Sequence, residues 1–256
     1  MRPHDAGRRK FLIRTVAASG TALVAGCDQL SRTEWAPSIL QRAEHLSYAM
    51  QRLVTPRKSM AQEFTEADLS PEFRSNGTAN PDSEAYRKLA AGGFAAYRLK
   101  VFGLVQEPGN FSLTDLRSLP ARTQITRHDC VEGWSAIGKW KGAQLSALLE
   151  RVRPKPDARY AVFYCADPMD AAGTQYYESI DMDDAWHPQT LLAYELNDRR
   201  LPIANGAPVR LRVERQLGYK MAKYVMAIEL TDRFDTIGRG KGGYWEDLGY
   251  EWYAGI

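Results

Sequence analysis

Three cysteines in 256 residues, Cys27, Cys130 and Cys165, form no C-x-x-C pair. That spacing excludes a disulfide scaffold, makes no cysteine-built zinc site and offers no C-x-x-C-H attachment for haem. A surplus of one charge is also lacking. Lys plus Arg is 34 against 31 for Asp plus Glu. Residues 1–26 hold five of the bases (Arg2, Arg8, Arg9, Lys10, Arg14) and one acid, Asp5, so the remainder carries 29 bases and 30 acids. A body with net charge −1 is not a nucleic-acid binder, which needs a basic face. The uncharged stretch from Thr15 to Cys27 is 13 residues long, short of the roughly 20 that span a bilayer. No G-x-S-x-G occurs. The glycines at 238, 240, 242 and 243 lead into aromatic residues rather than a helix, so they are no nucleotide fingerprint.

What is present begins with an address. Arg8-Arg9-Lys10-Phe11-Leu12 resembles a twin-arginine export signal, and Val24-Ala25-Gly26-Cys27 resembles a lipobox. The reading is a leader over 1–26, a tether and helix over 27–60, and a folded domain over 61–256. It places the protein in the periplasm, anchored to the inner membrane by a lipid on Cys27. The twin-arginine route carries folded cargo and so raises the expectation of a cofactor.

Hydrophobic content of 44% with 25% charge is that of a globular body. Pro37 and Pro56 bracket a helix over Ser38–Val54. Residues 68–83, with Pro71, Asn76-Gly77 and Asn80-Pro81, read as an irregular loop. Strands are expected at Arg98–Val105, Arg122–Asp129, Arg159–Cys165 and Tyr224–Leu230, and a helix at Ala143–Val152. Ser112 with Asp115 reads as a capping box. Val209, Leu211 and Val213 alternate with Arg210, Arg212 and Glu214, the pattern of a half-buried strand with one polar side. Residues 163–198 hold eight acids and no Lys or Arg; residues 199–223 hold seven bases and one acid. The tail from Gly240 is aromatic, without a helical period; it serves either as packing or as a docking surface. Strands and short helices without strict βαβ alternation give an α+β class.

Two segments carry chemistry. Cys130 lies in Thr126-Arg127-His128-Asp129-Cys130-Val131-Glu132-Gly133-Trp134, a polar setting for a thiol. It suits a redox thiol, a nucleophile paired with His128 or His187, or a soft metal ligand. The second segment, Asn205 to Lys223, combines turn glycines with Arg210, Lys220 and Lys223, as a phosphate cradle would; a solvated basic face is the plainer alternative.

Four segments in order, Cys130-Val131-Glu132-Gly133-Trp134, Asp184 to Thr190, Asn205-Gly206-Ala207-Pro208-Val209-Arg210 and Gly218-Tyr219-Lys220, resemble the sulfite oxidase-type molybdopterin oxidoreductases, over about residues 95–235. The similarity is greatest to the branch that reduces methionine sulfoxide in the periplasm. The resemblance implies a mixed-sheet α+β fold, a molybdenum–molybdopterin cofactor and two-electron oxygen-atom transfer, with an S- or N-oxide reduced. It implies Cys130 as the thiolate ligand of molybdenum. Asn205, Arg210, Lys220, Met221, Ala222 and Lys223 would hold the pterin and its phosphate, with Asn76, His128 and Cys165 beside the cofactor. Glu132 would either relay protons or serve as a structural hydrogen-bonding acid. The expected partners are a small-molecule substrate and a membrane b-type cytochrome as electron donor. Val-Glu-Gly-Trp stands where sulfite-oxidising members carry arginines, which argues against sulfite. The residues after Asp232 are too few for the dimerisation domain of some members. Two other readings are a non-catalytic lipoprotein that keeps the fold to bind a ligand, and a Cys130/Cys165 thiol pair, which the separation of the two cysteines disfavours.

Overall fold

The computed structural model describes residues 58–256 without interruption and, before them, residues 49, 50, 53 and 56. Contacts divide the chain into two units, Met1–Val54 and Thr55–Ile256. Of the first, Ala49, Met50 and Leu53 are helical, within the helix expected over Ser38–Val54. The leader, the lipobox and the rest of that helix lie outside the described residues.

The second unit is built on two sheets. Its elements run α1 (Glu84–Ala91), β1 (Leu99–Gly103), β2 (Gly109–Phe111), α2 (Leu113–Ser118), β3 (Ala121–Cys130), β4 (Trp134–Gln144), α3 (Leu145–Val152), β5 (Tyr160–Pro168), β6 (Gln175–Asp181), α4 (Met182–Ala185), β7 (Leu191–Leu196), β8 (Arg199–Arg200), β9 (Arg210–Arg212) and β10 (Val225–Thr231). One sheet has the order β2-β1-β10-β5-β6, with β1 and β10 parallel and the other neighbours antiparallel. The other runs β3-β4-β7-β8, with β9 also paired to β7. This is the expected mixed-sheet α+β class.

Local chemistry explains the elements. Ser112 caps α2 by accepting from the Asp115 amide while Asp115 Oδ2 accepts from the Ser112 amide at 2.8 Å, the capping box read from the sequence. α3 turns Leu145, Leu148, Leu149 and Val152 inward onto a core that includes Val101, Phe163 and Ile228. It starts later than Ala143, because Ala143 and Gln144 still pair with Leu192 and Leu191 of β7. A second core gathers Phe73, Leu196 and Leu201 around the buried Trp140.

β4 has no counterpart among the strands expected from the sequence, and glycine inside a strand is ordinarily unfavourable. The glycines of β4 permit close approach instead. A β-carbon on Gly142 would stand 2.4 Å from the Leu192 carbonyl oxygen and 2.6 Å from the Ala193 Cα. Gly142→Ala is therefore expected to cost about 1–3 kcal/mol, the usual penalty of overpacking. It would appear as a lower urea midpoint at unchanged slope; an unchanged midpoint would contradict this contact.

The strand at Arg210 corrects the sequence reading. Only Arg210–Arg212 pairs, and Arg210, Arg212 and Glu214 are all buried. The polar side of the strand faces the interior because partners await it there. Arg212 donates to both Glu214 carboxylate oxygens, at 2.8 and 2.6 Å, and its guanidinium lies 4.3 Å from the Trp140 ring centre. A buried arginine holding both carboxylate oxygens of its partner and stacked on an aromatic face keeps its charge compensated.

Candidate functional site

The ends of strands from both sheets converge on one pocket of about 140 Å³, open to solvent. β3 brings Cys130, which pairs with Trp134 across the turn Val131–Gly133. β5 brings Asp167. The loop at Asn76–Thr78, the turn at Gly218–Lys220 and the tail from Gly243 complete the walls. Of the residues named from the sequence, Cys130, Glu132, Asn76, Met221 and Lys223 line the pocket.

Behind the pocket lies a crowd of cations. The Lys223 ammonium donates to the carbonyls of Asn76 at 2.6 Å, Ala204 at 3.0 Å and Thr78. These acceptors are neutral. Burial and then the nearby Arg210 charge push its pKa down to about 7. Arg210 donates to the Asn205 carbonyl and to Asn76 Oδ1, both at 3.2 Å, and its Nε has no hydrogen-bond partner. Burial and Arg212 lower its pKa to about 9. His128 is buried, with Nδ1 3.2 Å from an Arg212 nitrogen and 3.3 Å from Met221 Sδ. Since arginine only donates, Nδ1 accepts and the ring proton sits on Nε2, which has no partner. Burial, then Arg210, Arg212 and Lys223, holds the imidazole neutral, far below its ordinary pKa.

Cys130 itself is half-buried, and burial raises its thiol pKa; the Glu132 carboxylate adds to this, while the Glu132 amide and Arg210 oppose it. The Glu132 carboxylate accepts from the Trp134 indole at 2.9 Å.

Not every expected residue faces the pocket. Asn205 sits behind Arg210, its amide donating to the Phe73 carbonyl at 3.4 Å. Ala222 is buried, its carbonyl accepting from the Leu211 amide. His128 and Cys165 are buried outside the lining, Cys165 in the main core with its thiol pKa pushed far up by desolvation. Lys220 departs furthest. Its ammonium lies between the Glu178 and Glu246 carboxylates, the latter at 2.5 Å, and is sealed from solvent. A charge already committed to two carboxylates is not available to a phosphate.

Other lining residues carried no site assignment from the sequence, although Tyr219 lay in a motif segment and Trp245 and Tyr250 in the aromatic tail. Thr78, Asp167, Met169, Tyr176, Tyr219, Trp245 and Tyr250 all line the pocket. Asp167 lay within the acidic run but nothing singled it out. It is buried, one of its oxygens lacks a partner, and desolvation raises its pKa to about 6 against the pull of Lys223 and Thr78.

The donor set fits the implied cofactor. Arg210 and Lys223 are both buried and hydrogen-bond only to neutral acceptors, and an anion such as a pterin phosphate would relieve both. The orphaned Nε–H of Arg210 is one donor left over for such a group. A thiol at the pocket wall is a soft ligand, and metal binding deprotonates a thiol whatever its resting pKa.

Known proteins agree with this chemistry. Residues 89–236 match the family described as the oxidoreductase molybdopterin binding domain. A provisionally named protein-methionine-sulfoxide reductase subunit, YedZ1 of Azospira oryzae, is 37% identical over 248 residues, 97% of this chain and 87% of the relative. The protein-methionine-sulfoxide reductase catalytic subunit MsrP of Ralstonia nicotianae is 33% identical over 241 residues, 90% of this chain and 70% of the relative. Among solved structures, the sulfane dehydrogenase SoxCD of Paracoccus pantotrophus is 24% identical, with a TM-score of 0.48 over 54% of this chain and 39% of its own. The chain thus belongs to the oxidoreductase molybdopterin-binding family, and it is a molybdenum–molybdopterin-dependent enzyme of the sulfite oxidase superfamily.

Proposed function

We propose that this oxidoreductase reduces a neutral methyl sulfoxide, with methionine sulfoxide as the substrate class, to the thioether and water by uptake of two electrons and two protons. The observation that carries this reading is the character of the pocket wall beside Cys130. Lys223 is the one cation among the lining residues, and its hydrogen bonds go to the cradle at Asn76, Thr78 and Ala204. No arginine remains there to bind a sulfite anion. The names of the relatives from Azospira and Ralstonia point the same way.

When bound, molybdenum–molybdopterin supplies the two-electron oxygen-atom chemistry. The protein's own residues do the rest. Cys130 would hold the metal through Sγ. Arg210 and Lys223 would neutralise the phosphate, with the backbone of Met221 and Ala222 helping to hold it, while Asn76 and Asn205 fix the two cations. His128 orients this group from behind through Arg212 and Met221. Glu132, on the same turn as Cys130, would serve as the proton donor for sulfoxide reduction. Lys220 and Cys165 support the walls from within the core.

The supply of electrons follows from the leader. Twin-arginine export with a lipid on Cys27 puts the enzyme on the periplasmic side of the inner membrane, next to a membrane b-type cytochrome as donor. Support for this rests on Arg8-Arg9 and Val24-Ala25-Gly26-Cys27; among the described residues no helix is long and apolar enough to cross a membrane.

The test is dye-driven turnover of the holoenzyme matured in a host that makes the cofactor. Reduced viologen is expected to be oxidised with methionine sulfoxide present, while ferricyanide is not reduced by sulfite. Sulfite oxidation without sulfoxide reduction would overturn the assignment.

A further inference from the structure

One side of the pocket is an aromatic wall that the chemistry above does not use. Trp245 and Tyr250 both line the pocket, their ring centres 5.4 Å apart. Tyr250 stands edge-on to Tyr219 at 5.2 Å, and Met169 lines the same space. The wall is held by buried charge. Glu246 lies in the short turn Glu246–Leu248, between the two tail aromatics. Its carboxylate receives the Lys220 ammonium at 2.5 Å, and Lys220 directly follows Tyr219. One ammonium therefore fixes Tyr219 through the backbone and the Trp245–Tyr250 segment through Glu246. Glu178 on β6 is its second partner, tying both to the sheet.

Such a wall suits some substrates and not others. Sulfur and methyl groups pack favourably on aromatic rings, and large rigid rings hold an aliphatic stem at little entropic cost. The ammonium beside the Tyr219 ring, that of Lys220 at 5.9 Å from its centre, is committed to two carboxylates. An oxyanion gains nothing there. Tyr250 lines the pocket yet is 41% exposed, so its ring is accessible to a side chain presented by a peptide.

We infer that Trp245 and Tyr250 form the specificity-determining wall of this enzyme, holding the aliphatic stem and methyl group of an oxidised methionine side chain while its sulfoxide oxygen faces the Cys130 side. This deepens the sulfoxide-reductase reading and rests on it for the identity of the substrate.

The experiment compares holoenzyme with Trp245→Ala and Tyr250→Ala. Dye-driven kcat/KM is measured for a peptide carrying methionine sulfoxide and for dimethyl sulfoxide, which lacks the stem. Calorimetric binding of the peptide to oxidised enzyme and molybdenum content are measured in parallel. The ratio of the two kcat/KM values should fall at least tenfold in each variant, chiefly through KM for the peptide. Peptide binding should weaken by a similar factor at wild-type molybdenum content. Trp245 also packs against the main core, so Tyr250→Ala, altering an exposed ring, serves if the other variant fails to fold. A ratio and an affinity within twofold of wild type in Tyr250→Ala would overturn the wall. If the wild type turned over neither sulfoxide, the reductase reading would fall and the binding arm alone would judge the wall. Tenfold weaker peptide binding in the variants would sustain it, and no binding to wild type would end it.

Discussion

Cys130→Ala is expected to abolish sulfoxide-dependent turnover, and Cys130→Ser to do nearly the same. The loss should exceed the roughly 10- to 100-fold that removal of an outer hydrogen-bonding partner of a metal ligand costs, because the ligand itself is gone. Among the described cysteines Cys130 alone lines the pocket, whereas Cys165 is sealed in the main core. No second thiol among the described residues can therefore take its place. A hydroxyl at 130 is a harder donor than a thiolate and a poorer match to a soft site. The free protein adds a control. Burial raises the Cys130 thiol above its ordinary pKa, so alkylation of cofactor-free protein by iodoacetamide should be slow at neutral pH and accelerate as pH rises past the usual thiol range. Loaded enzyme should resist the reagent at both pH values. Retained turnover in Cys130→Ala at wild-type molybdenum content would remove the thiolate from the site.

Much of that site can be read along the chain because its parts are local. The turn at Cys130–Trp134 and the segment Asn205–Arg210 keep their chemistry within a few residues, and so does the capping box at Ser112. What escapes is what depends on distant partners. The acidic run 163–198 and the basic run 199–223 look like two charged surfaces in sequence. Folded, they meet in the interior: Arg215 pairs with Asp184, and Lys220 with Glu178. That pairing removes Lys220 from the cradle and leaves Arg210 and Lys223 as its buried cations. The same effect hides the Arg210–Glu214 strand. Alternation of Val and Leu with Arg and Glu signals a half-exposed strand only when nothing inside can compensate the charges, and here Trp140, His128 and Glu214 do. β4 fails for a different reason. A strand containing Gly138 and Gly142 scores poorly on β-propensity, yet those positions are where Phe73 and the β7 backbone press closest. The tail is the last case. Its aromatics were visible, but which of them face the pocket depends on Glu246 reaching Lys220, 26 residues earlier.

Lys220→Met should destabilise the fold by about 3–5 kcal/mol at neutral pH, the cost of breaking a buried ion pair by removing one partner. Two carboxylates, Glu178 and Glu246, would then share a solvent-free site with no cation between them. The sign of the pH dependence is fixed by Glu178. Desolvation and the Glu246 charge hold its folded pKa well above the ordinary 4.5, with Lys220 pulling it back. Without Lys220 the upward shift grows, and the folded variant takes up protons that the unfolded chain does not hold. Stability then falls as pH rises through the folded pKa and is recovered as pH falls toward about 4.5, the unfolded value. In the wild type Lys220 acts at the other end. Its folded pKa lies above 10.5, so its contribution is complete below that value and is lost as alkaline pH rises through the folded one. Urea midpoints measured at pH 5, 6, 7 and 8 should therefore show a gap between wild type and Lys220→Met that narrows toward pH 5. A gap of constant size would mean that the methionine merely packs badly and that the two glutamates do not repel. A second replacement, Glu178→Gln on the Lys220→Met background, should restore part of the stability at pH 7 by removing one of the two opposed charges. The pH-dependent gap should shrink with it, since the titrating carboxyl is gone.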